Sequence, residues 1–233
     1  MIVSINQPAY LPWLGYFERI ARSDLHVVLD HVQFEKNSFT NRNKVRTREG
    51  ATWLTVPLAT KGKFGDLAIN TLDFAANDPW QRKHWATLRM NYARAPFFAR
   101  YAPAYEEIYA RAWSGFMPPV RALLEQHLRD LEIETPLRFS SEMGTGGAKS
   151  ELVLNLCRAA GATTYLSGKM GRDYLDEAAF AAAGIAVAYQ DYEHPVYAQV
   201  PSGFEPAMGV LDLLFNHGPA SREILLNRVP VSA

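Results

Sequence analysis

The sequence predicts an α/β protein with a mostly parallel sheet flanked by helices and an aromatic-rich helical insertion. Three observations carry that expectation. A strand, a short helix and a second strand fit within the first 30 residues; helix and strand alternate again after residue 150; and the stretch between them is aromatic and helical.

Residues 1–6 (MIVSIN) are apolar and β-branched, a buried opening strand ended by Gln7-Pro8. Leu14, Phe17, Ile20 and Ala21 recur at helical spacing, so residues 14–22 form a short amphipathic helix. Residues 25–29 (LHVVL) are the next strand. Two strands joined by so short a helix imply a parallel pair with a right-handed crossover. Residues 37–48 read as a basic loop, 52–57 (TWLTVP) as a strand and 60–66 as a Gly/Lys turn. Helices are expected over 79–92, 101–113 and 118–130, packed through Trp80, Trp85, Tyr92, Tyr101, Tyr105 and Tyr109. Further helices are expected over 151–160 and 174–183, closed by Gly161 and Gly184. Strands follow each of them, at 163–166 (TTYL) and 185–189 (IAVAY), and the last helix lies within 204–215. We expect one α/β domain over residues 1–233, with a helical lobe at about 79–133.

Composition bounds the function. The chain has 233 residues, 48% of them hydrophobic, with 24 basic and 24 acidic side chains. A net charge of zero gives no global field for nucleic acid or an anionic membrane. The single cysteine, Cys157, excludes an intramolecular disulfide and a thiolate-rich zinc site, and its helical apolar surroundings predict burial. The opening residues lack a secretory signal and no apolar run spans a bilayer, so a cytoplasmic protein without membrane insertion is expected.

Ligands of parallel sheets bind beyond the carboxyl ends of the strands. Three loops qualify. Residues 7–13 offer Gln7 for orientation, and Tyr10 and Trp13 for stacking on a ring or sugar. Residues 30–44 offer Asp30 and His31 at a strand end, then Gln33, Asn41, Arg42, Asn43 and Lys44, suited to a phosphate or carboxylate. Residues 167–173 place Ser167, Lys169 and Arg172 around glycines, a candidate anion cradle. Asp30, His31 and His194, which follows IAVAY, are the candidate catalytic bases. Gly144-Thr145-Gly146-Gly147-Ala148-Lys149-Ser150 is not a P-loop, because Ala148 and Met143 stand where that motif has glycine. The six histidines show no metal-type pairing on one helix face.

Ile5-Asn6-Gln7-Pro8, Tyr10-Leu11-Pro12-Trp13, Gly15-Tyr16-Phe17, Asn41-Arg42-Asn43-Lys44, Trp53-Leu54-Thr55-Val56-Pro57, Tyr165-Leu166-Ser167-Gly168 and Asp212-Leu213-Leu214-Phe215-Asn216 together resemble the WbqC-like protein family. The resemblance runs to about Gly218. It departs at Asn6, where many relatives have histidine, at His31, where an acidic residue is usual, and at Met208-Gly209. It implies a bacterial protein of surface polysaccharide (O-antigen) or glycoconjugate synthesis. The implied reaction is acyl or aminoacyl transfer, glycyl included, to an amino-sugar or nucleotide-sugar acceptor. The donor is an activated acyl compound. Two other readings stand beside it: an ATP-dependent adenylating enzyme, by analogy with the nucleotidyltransferase fold, and a non-catalytic sugar- or nucleotide-binding protein.

Overall fold

A computed structural model describes residues 1–63, 65 and 67–227. The expected turn at 60–66 includes Phe64 and Asp66, which lie outside the described residues. In chain order the elements are β1 (Ile2–Asn6), α1 (Leu14–Ala21), β2 (Leu25–Val28), β3 (Arg42–Thr47), β4 (Gly50–Thr55), α2 (Trp80–Tyr92), α3 (Phe98–Ala110) and α4 (Met117–Asp130). Then come β5 (Leu137–Phe139), α5 (Lys149–Ala160), β6 (Thr164–Ser167), α6 (Glu177–Ala182), β7 (Ala186–Tyr189), α7 (Val210–His217) and α8 (Ser221–Leu225). No helix among the described residues is long and apolar enough to cross a membrane.

The chain divides into two compact units. The first comprises Met1–Pro8, Glu18–Val32 and Glu134–Glu193; the second comprises Ala9–Phe17, Gln33–Ile133 and His194–Ala233.

The first unit holds a five-stranded sheet of order β5-β2-β1-β6-β7 with every neighbouring pair parallel. Strand alternation splits its faces. Val3, Ile5, Leu25, Val27 and Tyr165 point to one side, where they bury Leu152, Leu156 and Cys157 of α5 and Phe180 of α6. Each such aliphatic side chain removed from water contributes roughly 1.5–3 kcal/mol. Burial pushes the Cys157 thiol up to about 12, so it packs as an apolar group and is not a thiolate near neutral pH. Gly161 ends α5 in the left-handed conformation (φ 73°), which a side chain would oppose. Ser4 and His26 point to the other face. Few polar groups are expected inside a parallel sheet.

The second unit holds the helices of the aromatic stretch and a two-stranded antiparallel ribbon, β3–β4. Trp85 stacks on Phe98 of α3 (6.1 Å, 17°) and on Tyr109 (5.9 Å, 21°), while Tyr92 and Phe98 both meet Phe215 of α7. Two strands depart from the expectation. β3 forms where a basic loop was predicted, because the inward Asn43 and Val45 alternate with the half-exposed Arg42 and Lys44. β5 is three residues long and shows no period of its own.

One buried carboxylate ties this unit together. Asp212 of α7 accepts hydrogen bonds from Tyr92 Oη (2.9 Å), Tyr197 Oη (2.9 Å) and Gln199 Nε2 (2.7 Å). Burial raises its carboxyl above the usual range, against those donors and the nearby Arg46 charge. Asp212→Asn sets an amide hydrogen against one donor and weakens the rest. A loss of about 2 kcal/mol is expected, read as a drop of roughly 4–8 °C in a calorimetric melt.

Candidate functional site

The order of the first unit's sheet reverses at one place. The chain runs outward from β1 to β2 and β5, then crosses through α5 to β6 and continues to β7. The switch therefore falls between β1 and β6, and a ligand crevice is expected there, beyond the carboxyl ends of the strands.

The crevice is polar for a physical reason. Ser4 and Asn6 lie on the face of β1 opposite its apolar residues, and His26 stands beside Ser4 in register on β2. Ser4 Oγ and His26 Nδ1 are 2.8 Å apart and both side chains are fully buried. Burial, then the charge of Arg19, lowers His26 to about 3, so its ring is neutral at neutral pH. Arg19 extends from α1 and donates from Nη2 to Asn6 Oδ1. Its guanidinium lies against Gly168, where an added Cβ would fall 2.6 Å from Nη1. A side chain there would push the end of the flexible Arg19 side chain aside, while the backbone φ of −75° suits any residue. One turn of α1 also directs Glu18 inward to accept from Gln190 Nε2, just past β7. A cation thus stands beside the half-buried Gly168 backbone at the switch point.

A second feature lies on the same edge, where β2 and β5 end. Ser140 Oγ is 3.0 Å from Asp30 Oδ1, 2.6 Å from His31 Nδ1 and 3.0 Å from the Asp30 backbone nitrogen. A hydroxyl has one hydrogen to give and two lone pairs. Asp30 N–H occupies one lone pair, and the carboxylate takes the hydrogen. His31 Nδ1–H must then donate to the other lone pair, which leaves Nε2 of the neutral ring as an acceptor. Ser141 completes the clasp by donating to Asp30 from its backbone nitrogen (2.9 Å) and hydroxyl (2.7 Å). Asp30 is buried and engaged; His31 is half-exposed. The arrangement orients an imidazole as a proton acceptor. Neighbouring strands stand ~4.8 Å apart, so the ends of β2 and β6 are separated by roughly 10 Å along this edge.

The other sequence-predicted residues of this unit have defined places. Gln7 follows β1 and is half-buried. Ser167 is buried at the end of β6, close beneath Gly171. Lys169 pairs with Asp191 at 2.9 Å, both exposed, and Arg172 lies 4.0 Å over the Tyr189 ring. Residues Lys169–Asp173 form a single short 3-10 turn.

The remainder lie in the second unit. Tyr10 is fully buried with its hydroxyl 2.8 Å from His84 Nδ1 and 2.6 Å from Tyr109 Oη, a packing position. Trp13 is exposed and covers Gly15, where a Cβ would collide with the indole. Gln33 holds Leu67 N at 3.1 Å, Asn41 donates to Val56 O at 2.8 Å, and Asn43 reaches Leu11 O. Arg42 and Lys44 stand 4.5 Å and 5.4 Å over Trp53. His194 Nδ1 donates to Pro195 O at 2.9 Å, and burial lowers its pKa.

Sequence reasoning missed Arg19, Glu18, Ser140, Ser141 and Gln190. Glu18 was legible: it falls on the apolar stripe of Leu14, Phe17 and Ala21, where a carboxylate must find a buried partner. Ser140 was not, because the pairing of β2 with β5 joins segments more than 100 residues apart.

Comparison with known proteins gives two findings. The sequence profile of the WbqC-like protein family matches residues 7–224. A protein of Mycobacterium tuberculosis named "Uncharacterized protein Rv1507c" is 37% identical over 225 residues, covering 96% of each chain. No solved structure matches.

Proposed function

The chain belongs to the WbqC-like protein family, and from that premise we propose that it transfers an acyl or aminoacyl group to the amine of an amino sugar, in the synthesis of a bacterial surface glycoconjugate. The observation that carries the reading is the His31–Ser140–Asp30 array on the sheet edge that also holds Arg19 at the switch point.

The chemistry needs three things. The acceptor amine must lose a proton as its nitrogen bonds to the acyl carbon. The carbonyl oxygen gains negative charge in the tetrahedral intermediate, and the donor's leaving group departs with the electron pair. His31 Nε2 takes the proton, and Ser140 and Asp30 hold the ring and support the imidazolium that forms. Arg19, steadied by Asn6, holds the anionic leaving group against the Gly168 backbone. The separation of roughly 10 Å between these strand ends leaves room for an acyl carbon between base and leaving group.

Arg19→Ala removes a charge-assisted contact of about 1.5–3 kcal/mol. KM for the acyl donor should rise between tenfold and 100-fold, with KM for the amino sugar unchanged. Steady-state kinetics with each substrate varied in turn reads this directly. The reading itself is tested by incubating the protein with acyl phosphates, acyl adenylates or acyl thioesters, each with free and nucleotide-linked amino sugars. Mass spectrometry should show the acceptor gaining one acyl group. If no pair gives product, the protein is not this transferase.

A further inference from the structure

The outward face of the β3–β4 ribbon carries a feature that the sheet edge does not use. Phe39 is 53% exposed and Trp53 is 42% exposed, yet the two rings are in contact with centroids 5.7 Å apart. In register Lys44 lies opposite Trp53 and Arg42 opposite Thr55, which sets all four on one face. The Arg42 guanidinium and Lys44 ammonium stand over the indole. Arg42 is anchored by donating to the Asn37 carbonyl at 2.5 Å, so it is held in place. Beside it runs a groove of about 250 Å³ lined by Lys36, Asn41, Arg42, Thr55, Pro57 and Thr60. Residues 36–48 contain five cations and no acidic residue, in a chain with 24 charges of each sign.

Cations alone would suit any phosphate or carboxylate. Exposed paired rings would be a cost in water with nothing to cover them. A ligand that answers both is a planar heteroaromatic ring carrying phosphates, because stacking uses the rings and the phosphates use the cations. We propose that this face is a nucleotide-binding subsite, with the base against Phe39 and Trp53, the phosphates on Arg42 and Lys44, and the sugar in the adjoining groove. The subsite rests on its own residues, all within the second unit, and does not depend on the transfer reaction.

The test uses binding without turnover. UDP, ADP and inorganic pyrophosphate are titrated separately into the whole protein by calorimetry. At least one nucleoside diphosphate should bind tenfold or more tighter than pyrophosphate. Trp53→Ala should lower that affinity to the pyrophosphate level, Trp53→Phe should restore part of it, and Arg42→Ala should weaken all ligands. Thermal melts of the variants should match the wild type, since Trp53 is on the outer face. Equal binding of pyrophosphate and nucleotides, an unaffected Trp53→Ala variant, or no binding at all would overturn the proposal. So would Trp53-dependent retention on phosphatidylglycerol vesicles without nucleotide binding, which would assign the face to an anionic membrane. Nucleotide binding by a protein that forms no acylated product would leave the subsite standing while removing the transferase.

Discussion

Replacing His31 by alanine is expected to lower kcat by a factor of about 10²–10⁴, the usual contribution of a positioned general base. KM for the amino sugar should change little, because Nε2 acts on the proton lost in the transition state. The array around the ring sharpens the expectation. Ser140→Ala removes the bridge between His31 Nδ1 and Asp30 Oδ1, so the ring keeps its nitrogen but loses its orientation. That variant should fall by about tenfold, less than His31→Ala, and the two together should cost no more than His31→Ala alone. Multiplicative losses would mean that Ser140 acts independently of the imidazole. The measurement is kcat for the wild type, the two single variants and the double variant.

Acid should destabilise the fold over a window that three buried histidines set. Burial lowers His26 and His127 to about 3 and His84 to about 4, from a usual value of 6.5. The folded pKa lies below the unfolded one, so between these values the unfolded chain binds more protons. Stability is then fully present above pH 6.5 and is lost as the pH falls below it. Each histidine contributes a slope of about 1.4 kcal/mol per pH unit, and three give about 4. The slope is half its full value at pH 6.5, so a fall from pH 6.5 to 5 would remove roughly 5 kcal/mol, comparable with the entire stability of many domains. Asp212 acts in the opposite sense, since its raised carboxyl takes up a proton in the folded state first. The variant that isolates the effect is His127→Phe. Both nitrogens of His127 lack hydrogen-bond partners, and its ring packs 5.6 Å from Phe17 and 5.4 Å from Tyr105. Phenylalanine there should leave stability at pH 7 equal or higher and reduce the acid slope by one proton. Urea melts between pH 7 and 4.5 read both quantities. An unchanged slope would show that His127 already titrates normally in the folded protein.

How much of this was legible in the sequence follows from which interactions are local. The parallel sheet was, because MIVSIN, LHVVL, TTYL and IAVAY are apolar runs next to helical spacing or glycine stops. The ribbon was half legible. β4 contains TWLT, whereas β3 hides its inward Asn43 and Val45 beside the half-exposed Arg42 and Lys44. The candidate site divides in the same way. Asp30 and His31 follow directly from a strand end, so the rule that ligands gather beyond parallel strands reaches them. Arg19 sits on a helix and meets Asn6 and the Gly168 backbone only through the tertiary packing of α1 beside β1 and β6. Ser140 depends on β5, a three-residue strand brought beside β2 by the long excursion between them. Tyr10 illustrates the converse: an aromatic in a promising loop has its hydroxyl satisfied by His84 and Tyr109 and is wholly enclosed.

The proposed transferase requires Arg19 to hold the anionic group of an acyl donor at the β1–β6 switch point. Crystals of the protein soaked in tungstate, a heavy stand-in for phosphate, test it most directly. An anomalous peak is expected within hydrogen-bond distance of the Arg19 guanidinium and beside the Gly168 backbone, absent in Arg19→Ala crystals. Peaks confined to other surfaces, with that crevice empty of anion in the wild type, would contradict it.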